Sequence, residues 1–251
     1  MSYYSGQGRV FVAERDSVTG KPGAFKFLGN VPSLNLGLAV EKLEHREATS
    51  GQRLVDATIQ TSKQMTLSMA LEDFTAANLS MAFYGNNAAV TGASVVDEVL
   101  PTTLATGDYV RLNHTKVSAV VVKDSAATPA TLVAGTNYVV SSADHGSLQI
   151  VNPGAFVQPF KVSYTYGGYA NVTMFQQASK ERWLRFEGLN TADGNKPVLI
   201  ELYKVVLDPI SDFGALTDEI ASFTLEAEAL YDATKQADAA LGGFGRIIIP
   251  T

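Results

Sequence analysis

From Val55 to Leu71 the chain keeps a period of two, and that run limits its possible folds more than any other feature. Ile59, Met65, Leu67, Met69 and Leu71 fall on one side, with Thr61 and Lys63 between them. Thr58, Gln60, Ser62, Gln64, Thr66 and Ser68 fall on the other. Successive side chains of a strand point to opposite faces, so this is a long strand with one dry face and one neutral, polar face. Upstream, Leu36, Leu38 and Val40 alternate with Gly37 and Ala39, and a charged stretch leads to the turn signal Thr49-Ser50-Gly51. We read a long antiparallel hairpin whose charged tip, near Glu44 to Arg53, projects from the body.

The rest of the chain extends this β pattern. Gly8–Glu14 and Ala24–Val31 read as strands separated by a Gly/Pro turn, with Pro32 at an edge or strand start. Between Glu72 and Tyr84 the period changes. Phe74, Ala77, Leu79, Met81 and Ala82 fit a helix, with Asp73 or Thr75 as its cap and Gly85-Asn86 as its end. That helix is expected to cover the Met65–Leu71 face. From Ala88 to Gly168 short strands alternate with regular turn signals, as in a small all-β sandwich. They include Ala130–Val133. Longer strands return at Arg182–Leu189, Val198–Leu207 and Ser222–Asp232. The simplest organisation is one β domain, 1–87 and 171–251, interrupted by a second, 88–170, since insertions go where chain ends lie close together.

Composition excludes several functions. The chain has no Cys, which removes thiol catalysis, disulfide frameworks and Cys-ligated metals. Its net charge is −6, against a basic face for gripping phosphate. Acids concentrate late: Val205–Thr234 holds Asp208, Asp212, Asp218, Glu219, Glu226, Glu228 and Asp232 with no Lys or Arg. The N-terminus lacks signal-peptide character and no apolar run is long enough to span a bilayer, so we expect a soluble chain made in a cytoplasm.

No catalytic or metal pattern emerges. His45, His114 and His145 lack the spaced partners a metal or catalytic histidine needs. There is no nucleophile-elbow, dinucleotide or phosphate-loop motif. Glu226 and Glu228, two apart on a strand, point the same way, whereas glycosidase carboxylates face each other across a substrate. We therefore expect neither an enzyme nor a bound cofactor. Gly242-Gly243-Phe244-Gly245 opens a tail containing Ile247, Ile248 and Ile249. It is either a last strand of its own sheet or an arm docking on a neighbouring subunit.

The run Asp56–Phe74, continuing through Ala76–Gly85, resembles the tail tube (major tail) protein of long, flexible-tailed bacteriophages. Leu43–Glu47 with Ser50-Gly51 resembles that family's extended loop. The likeness is strongest over Leu34–Asn86 and extends to Ser179–Asp232, and the insert resembles small immunoglobulin-like decorations of phage structural proteins. The resemblance implies a mainly β fold: a tail-tube-type sandwich or half-barrel with one flanking helix, a long hairpin loop and an inserted immunoglobulin-like domain. It implies hexameric rings of the chain itself, stacked into a hollow tube in the virion tail and assembled in the host cytoplasm. Its partners would be a tape-measure protein, a tail terminator and baseplate or distal tail proteins, with no membrane. DNA would pass through the bore without specific binding.

On that reading Glu41, Lys42, Glu44, His45, Arg46, Glu47 and Arg53 make ring-to-ring contacts. Thr58, Gln60, Ser62, Gln64, Thr66, Ser68, Thr224, Glu226 and Glu228 line the bore, where a neutral-to-acidic surface lets DNA slide. The same face could instead simply meet bulk water, as one face of many antiparallel sheets does. A β-rich carbohydrate-binding or adhesion protein is the alternative, with Tyr164, Tyr166 and Tyr169 as its one aromatic cluster.

Overall fold

The computed structural model describes residues 3–250. The fold is mainly β, built from antiparallel sheets with few helices. Along the chain come β1 (Gly6–Glu14), β2 (Lys26–Phe27), β3 (Ser33–Arg46), β4 (Val55–Leu71), α1 (Ala76–Ala82), β5 (Asn87–Val90), β6 (Ala93–Val99), β7 (Tyr109–Arg111) and β8 (Val117–Lys123). Then follow β9 (Tyr138–Ser142), β10 (Ser147–Ile150), β11 (Lys161–Tyr166), β12 (Tyr169–Val172), β13 (Glu181–Asn190), β14 (Lys196–Leu207), β15 (Phe223–Ala229), α2 (Ala233–Gln236) and β16 (Gly245–Ile248). They form two compact units, one of residues 1–86 with 172–251 and one of 87–171.

The first unit is one sheet in the order β2-β1-β13-β14-β15-β4-β3. The free edge of β14 is shared: Val205–Leu207 pairs with the end of β15, and Leu199–Leu202 pairs with β16. One face carries the core, including Val10, Val12, Leu67, Met69, Leu71, Leu184, Leu202 and Leu225. Helix α1 covers it with Met81 and Ala82. Thr75 caps α1, its hydroxyl accepting from the Asn78 amide. Within the helix the expected apolar position Ala77 is exposed and Asn78 is buried instead. Asn78 is tolerated there because its amide donates to the carbonyls of Leu28 and Asp73.

Two expected strands shrink. Ala24–Val31 contributes only Lys26 and Phe27 to the ladder, because Gly29 turns with φ +85° beside Asp73. Ala130–Val133 makes only an isolated bridge from Thr131 to Lys123. The charged residues 41–46 belong to β3 itself, so the hairpin turn proper is confined to 47–54.

The second unit has two three-stranded sheets, β7-β10-β9 and β6-β11-β8, sharing one core around Val122, Leu148, Ile150, Phe160 and Val162. A two-stranded ribbon, β12 with β5, stands at its chain ends. Where the first unit releases and recovers the chain, the Asn86 carbonyl accepts from the Thr173 amide and the Thr173 hydroxyl accepts from the Asn86 amide. Gly85 allows this approach, since a Cβ there would overlap the Thr173 carbonyl.

Candidate functional site

The β3–β4 pair fixes which residues can act together. Directly opposed residues share a face. Asn35, Gly37, Ala39 and Glu41 oppose Ser68, Thr66, Gln64 and Ser62, and Ser68, Thr66 and Ala70 oppose Glu226, Glu228 and Thr224. Seven expected lining residues, Ser62, Gln64, Thr66, Ser68, Thr224, Glu226 and Glu228, therefore form one continuous face. The Ser68 hydroxyl donates to Glu226 at 2.9 Å, and that of Ser62 to Glu41 at 3.0 Å. Glu41, expected at the tip, thus joins this face and makes it more acidic.

Thr58 and Gln60 do not belong to it. Ser62 opposes Glu41, but Gln60 opposes Lys42, leaving Thr61 without a partner. This β-bulge reverses the numbering parity of the outer strand. Below it, Gln60 and Thr58 share the core-side face with Lys42 and Glu44, and Ile59 shares the polar face with Leu43. The unbroken alternation of residue types along β4 carries no sign of the extra residue.

Beyond Gly37 and Gln64 the two strands leave the core as a ribbon that is exposed on both faces save for a half-buried Ser62. Its apolar residues are nonetheless numerous: Leu38 is 81% exposed, Ile59 61% and Leu43 60%. Among the other tip residues, Glu44 pairs with Arg46 at 3.1 Å and His45 with Asp56 at 2.6 Å. Glu47 accepts from the amides and hydroxyls of Thr49 and Ser50, and these hydrogen bonds, led by the Ser50 hydroxyl, pull its carboxyl down to about 2. Arg53 holds a left-handed turn position with φ +49° and offers its carbonyl to Arg46. The tip is thus internally braced, while Lys42 and Lys63 make no ion pair among the described residues.

The C-terminal segment corrects the arm expectation. Its strand pairs with β14 of its own chain, placing Ile248 opposite Leu199 and Ile247 opposite Ile200. Phe244 packs against the core of the same sheet. Arg246 reaches the buried carboxylate of Glu201 at 2.8 Å, and Arg185 reaches its other oxygen at 3.1 Å. A buried carboxylate left with one partner is costly, so this pair holds the strand at home. Ile247 and Ile249 remain exposed. The unpaired edge of β4 at Gln60–Lys63 and the residues Tyr231, Gln236, Gly243 and Phe244 border an open cleft of about 570 Å³.

Tyr164 is buried, donates to Glu98 at 2.5 Å and meets His114 Nδ1 at 2.9 Å, and His114 stacks on Tyr166 at 3.8 Å. These rings brace the second unit and Tyr164 cannot act as a sugar platform. His145 meets the Ser142 hydroxyl. Among the described residues no cluster of His, Asp and Glu could hold a metal ion. No helix among them is long and apolar enough to cross a membrane.

A family model described as "Protein of unknown function UCP028589" matches residues 3–248. The chain belongs to this family. No curated protein matches it. The match spans both units, so the family is defined over the two-unit chain and not over either unit alone.

Proposed function

We propose that this protein is a non-enzymatic structural subunit that polymerises, as stacked hexameric rings, into the tail tube of a long-tailed phage. The observation that carries this reading is the β3–β4 ribbon. A solvated hairpin on a monomer gains nothing from bare Leu38, Leu43 and Ile59, whereas burying each against a neighbour stabilises by about 1.5–3 kcal/mol. The unpaired edge of β4 over 55–64 is likewise a hazard for a free chain and a joint for an assembling one.

The polar face supports the same reading. Glu41, Glu226 and Glu228 stand among hydroxyls and amides with no Lys or Arg on the β3, β4 and β15 part of the face. Turned inward around a ring, that surface repels phosphate and leaves DNA free to slide. The tape-measure protein, the terminator and the distal tail proteins would be the partners within and at the ends of such a tube.

Sedimentation velocity over a concentration series tests this. Cooperative appearance of large species above a critical concentration is expected. A single 26.7 kDa species at every concentration would refute it.

A further inference from the structure

The connection from Asp208 to Ser222, between β14 and β15, is long for a compact sheet, and loops of this length usually serve a function. Its first part is anchored. The Ile210 amide donates to the Ala82 carbonyl, and Phe213 rests on Phe74 and Phe83 with ring centroids 5.7 and 5.3 Å away. From Gly214 to Ile220 every residue is exposed, and Leu216 and Ile220 are 97% and 84% bare. Asp212, Asp218 and Glu219 surround them, and none forms an ion pair among the described residues. This is an acidic, apolar knob that nothing among the described residues covers.

The ribbon carries the complementary surface. Register places Leu38, Val40 and Lys42 on the core-side face of β3, with Lys63 directly opposite Val40. All four are exposed, and the two lysines are unpaired among the described residues. The two surfaces lie apart along one strand. Phe223, where the loop ends, opposes Leu71 at the C-terminal end of β4, and the ribbon occupies its N-terminal half. At about 3.3 Å per residue, Met65 and Gln60, opposite Leu38 and Lys42, lie roughly 20 and 36 Å from Leu71, and with Phe213 held on Phe74 and Phe83 and both surfaces bare, the loop does not cover the ribbon of its own chain.

We propose that the acidic loop 212–220 of one copy docks on the Leu38–Val40–Lys42–Lys63 face of the ribbon of a second copy. The contact is head-to-tail. Each docking leaves one loop and one ribbon unused, so it propagates in one direction instead of closing as a two-fold dimer. Leu216 and Ile220 cover Leu38 and Val40, and the lysines and acids around them set register and polarity. The inference rests on the polymerising reading above and names the two surfaces that perform it.

The test is a charge exchange in the full chain. One variant carries Lys42→Glu with Lys63→Glu, another Asp218→Lys with Glu219→Lys, and a third carries all four. Every position is exposed, so each variant should keep the wild-type circular dichroism and melting temperature. Each two-site variant should raise the critical concentration for assembly at least tenfold at low salt. The four-site variant should return to within about threefold of wild type. An equimolar mixture of the two inert variants should co-assemble, because each supplies the surface that fits the other. If wild type assembles and the two-site variants do so equally well, or the mixture and the four-site variant stay inert, the docking is overturned and the polymerising reading stands. A wild-type chain that never assembles overturns both.

Discussion

Ser62 and Gln60 are two residues apart on β4, yet they leave opposite faces of the sheet, Ser62 facing Glu41 and Gln60 facing Lys42. The extra residue, Thr61, decides which alternate residues of β4 face the acidic side on either side of it: even-numbered ones from Ser62 onward, odd-numbered ones such as Ile59 before it.

This register can be read by cross-linking, since the chain contains no Cys. Opposed residues lie about 4.5–5.5 Å apart at Cα, within disulfide range. Lys42→Cys combined with Gln60→Cys should cross-link under mild oxidation, and Lys42→Cys combined with Thr61→Cys should not. Preferential linking of the second pair would return Gln60 and Thr58 to the acidic face.

Glu226 and Glu228 alternate with buried Leu225 and Ala227, so replacing both acids by Lys leaves the core untouched. Surface changes of this kind cost about 0.5 kcal/mol or less. Assembled tubes of the double variant should retain double-stranded DNA at low salt and release it as salt rises, whereas wild-type tubes should retain none. In virions, ejection should slow most at low ionic strength. Wild-type kinetics at every salt concentration would place these acids away from the DNA.

Much of this was legible in the sequence, for identifiable reasons. Period-two patterning located β4 and β15, because Leu67, Met69, Leu71, Phe223 and Leu225 each bury one side of a half-wet sheet. Turn residues marked the second unit, and Thr75 marked the helix. Thr61 was illegible, since both faces of the ribbon are exposed at that point and no burial marks the change of parity. Buried Asn78 and Glu201 were illegible for another reason: each is tolerated only because distant groups, the Leu28 carbonyl and Arg246, satisfy it. The exposed loop around Leu216 has no period at all, and only its bareness in three dimensions sets it apart.

The second unit has its own core, and the chain ends that carry it are bonded through Asn86 and Thr173. Deleting 88–170 and bridging the gap with a short Gly/Ser linker should leave the first unit folded, with a melting transition of its own, and able to assemble. Failure to fold or polymerise at high concentration would make the second unit part of the assembling body.

The hairpin turn should respond to acid through Glu47. Its carboxyl is held at about 2, below its ordinary 4.5. The stabilisation is therefore complete above pH 4.5 and fades as pH falls towards 2. The amide resonances of Thr49 and Ser50, both donors to this carboxylate, should titrate with a midpoint near 2, and Glu47→Gln should abolish that titration. A midpoint near 4.5 would show that the turn is not closed by these bonds.

Electron microscopy of the purified full-length protein above its critical concentration tests the central claim most directly. Hollow tubes of stacked six-fold rings are expected, with Glu41, Glu226 and Glu228 facing the bore. Discrete monomers or closed two-fold dimers at every concentration would contradict it.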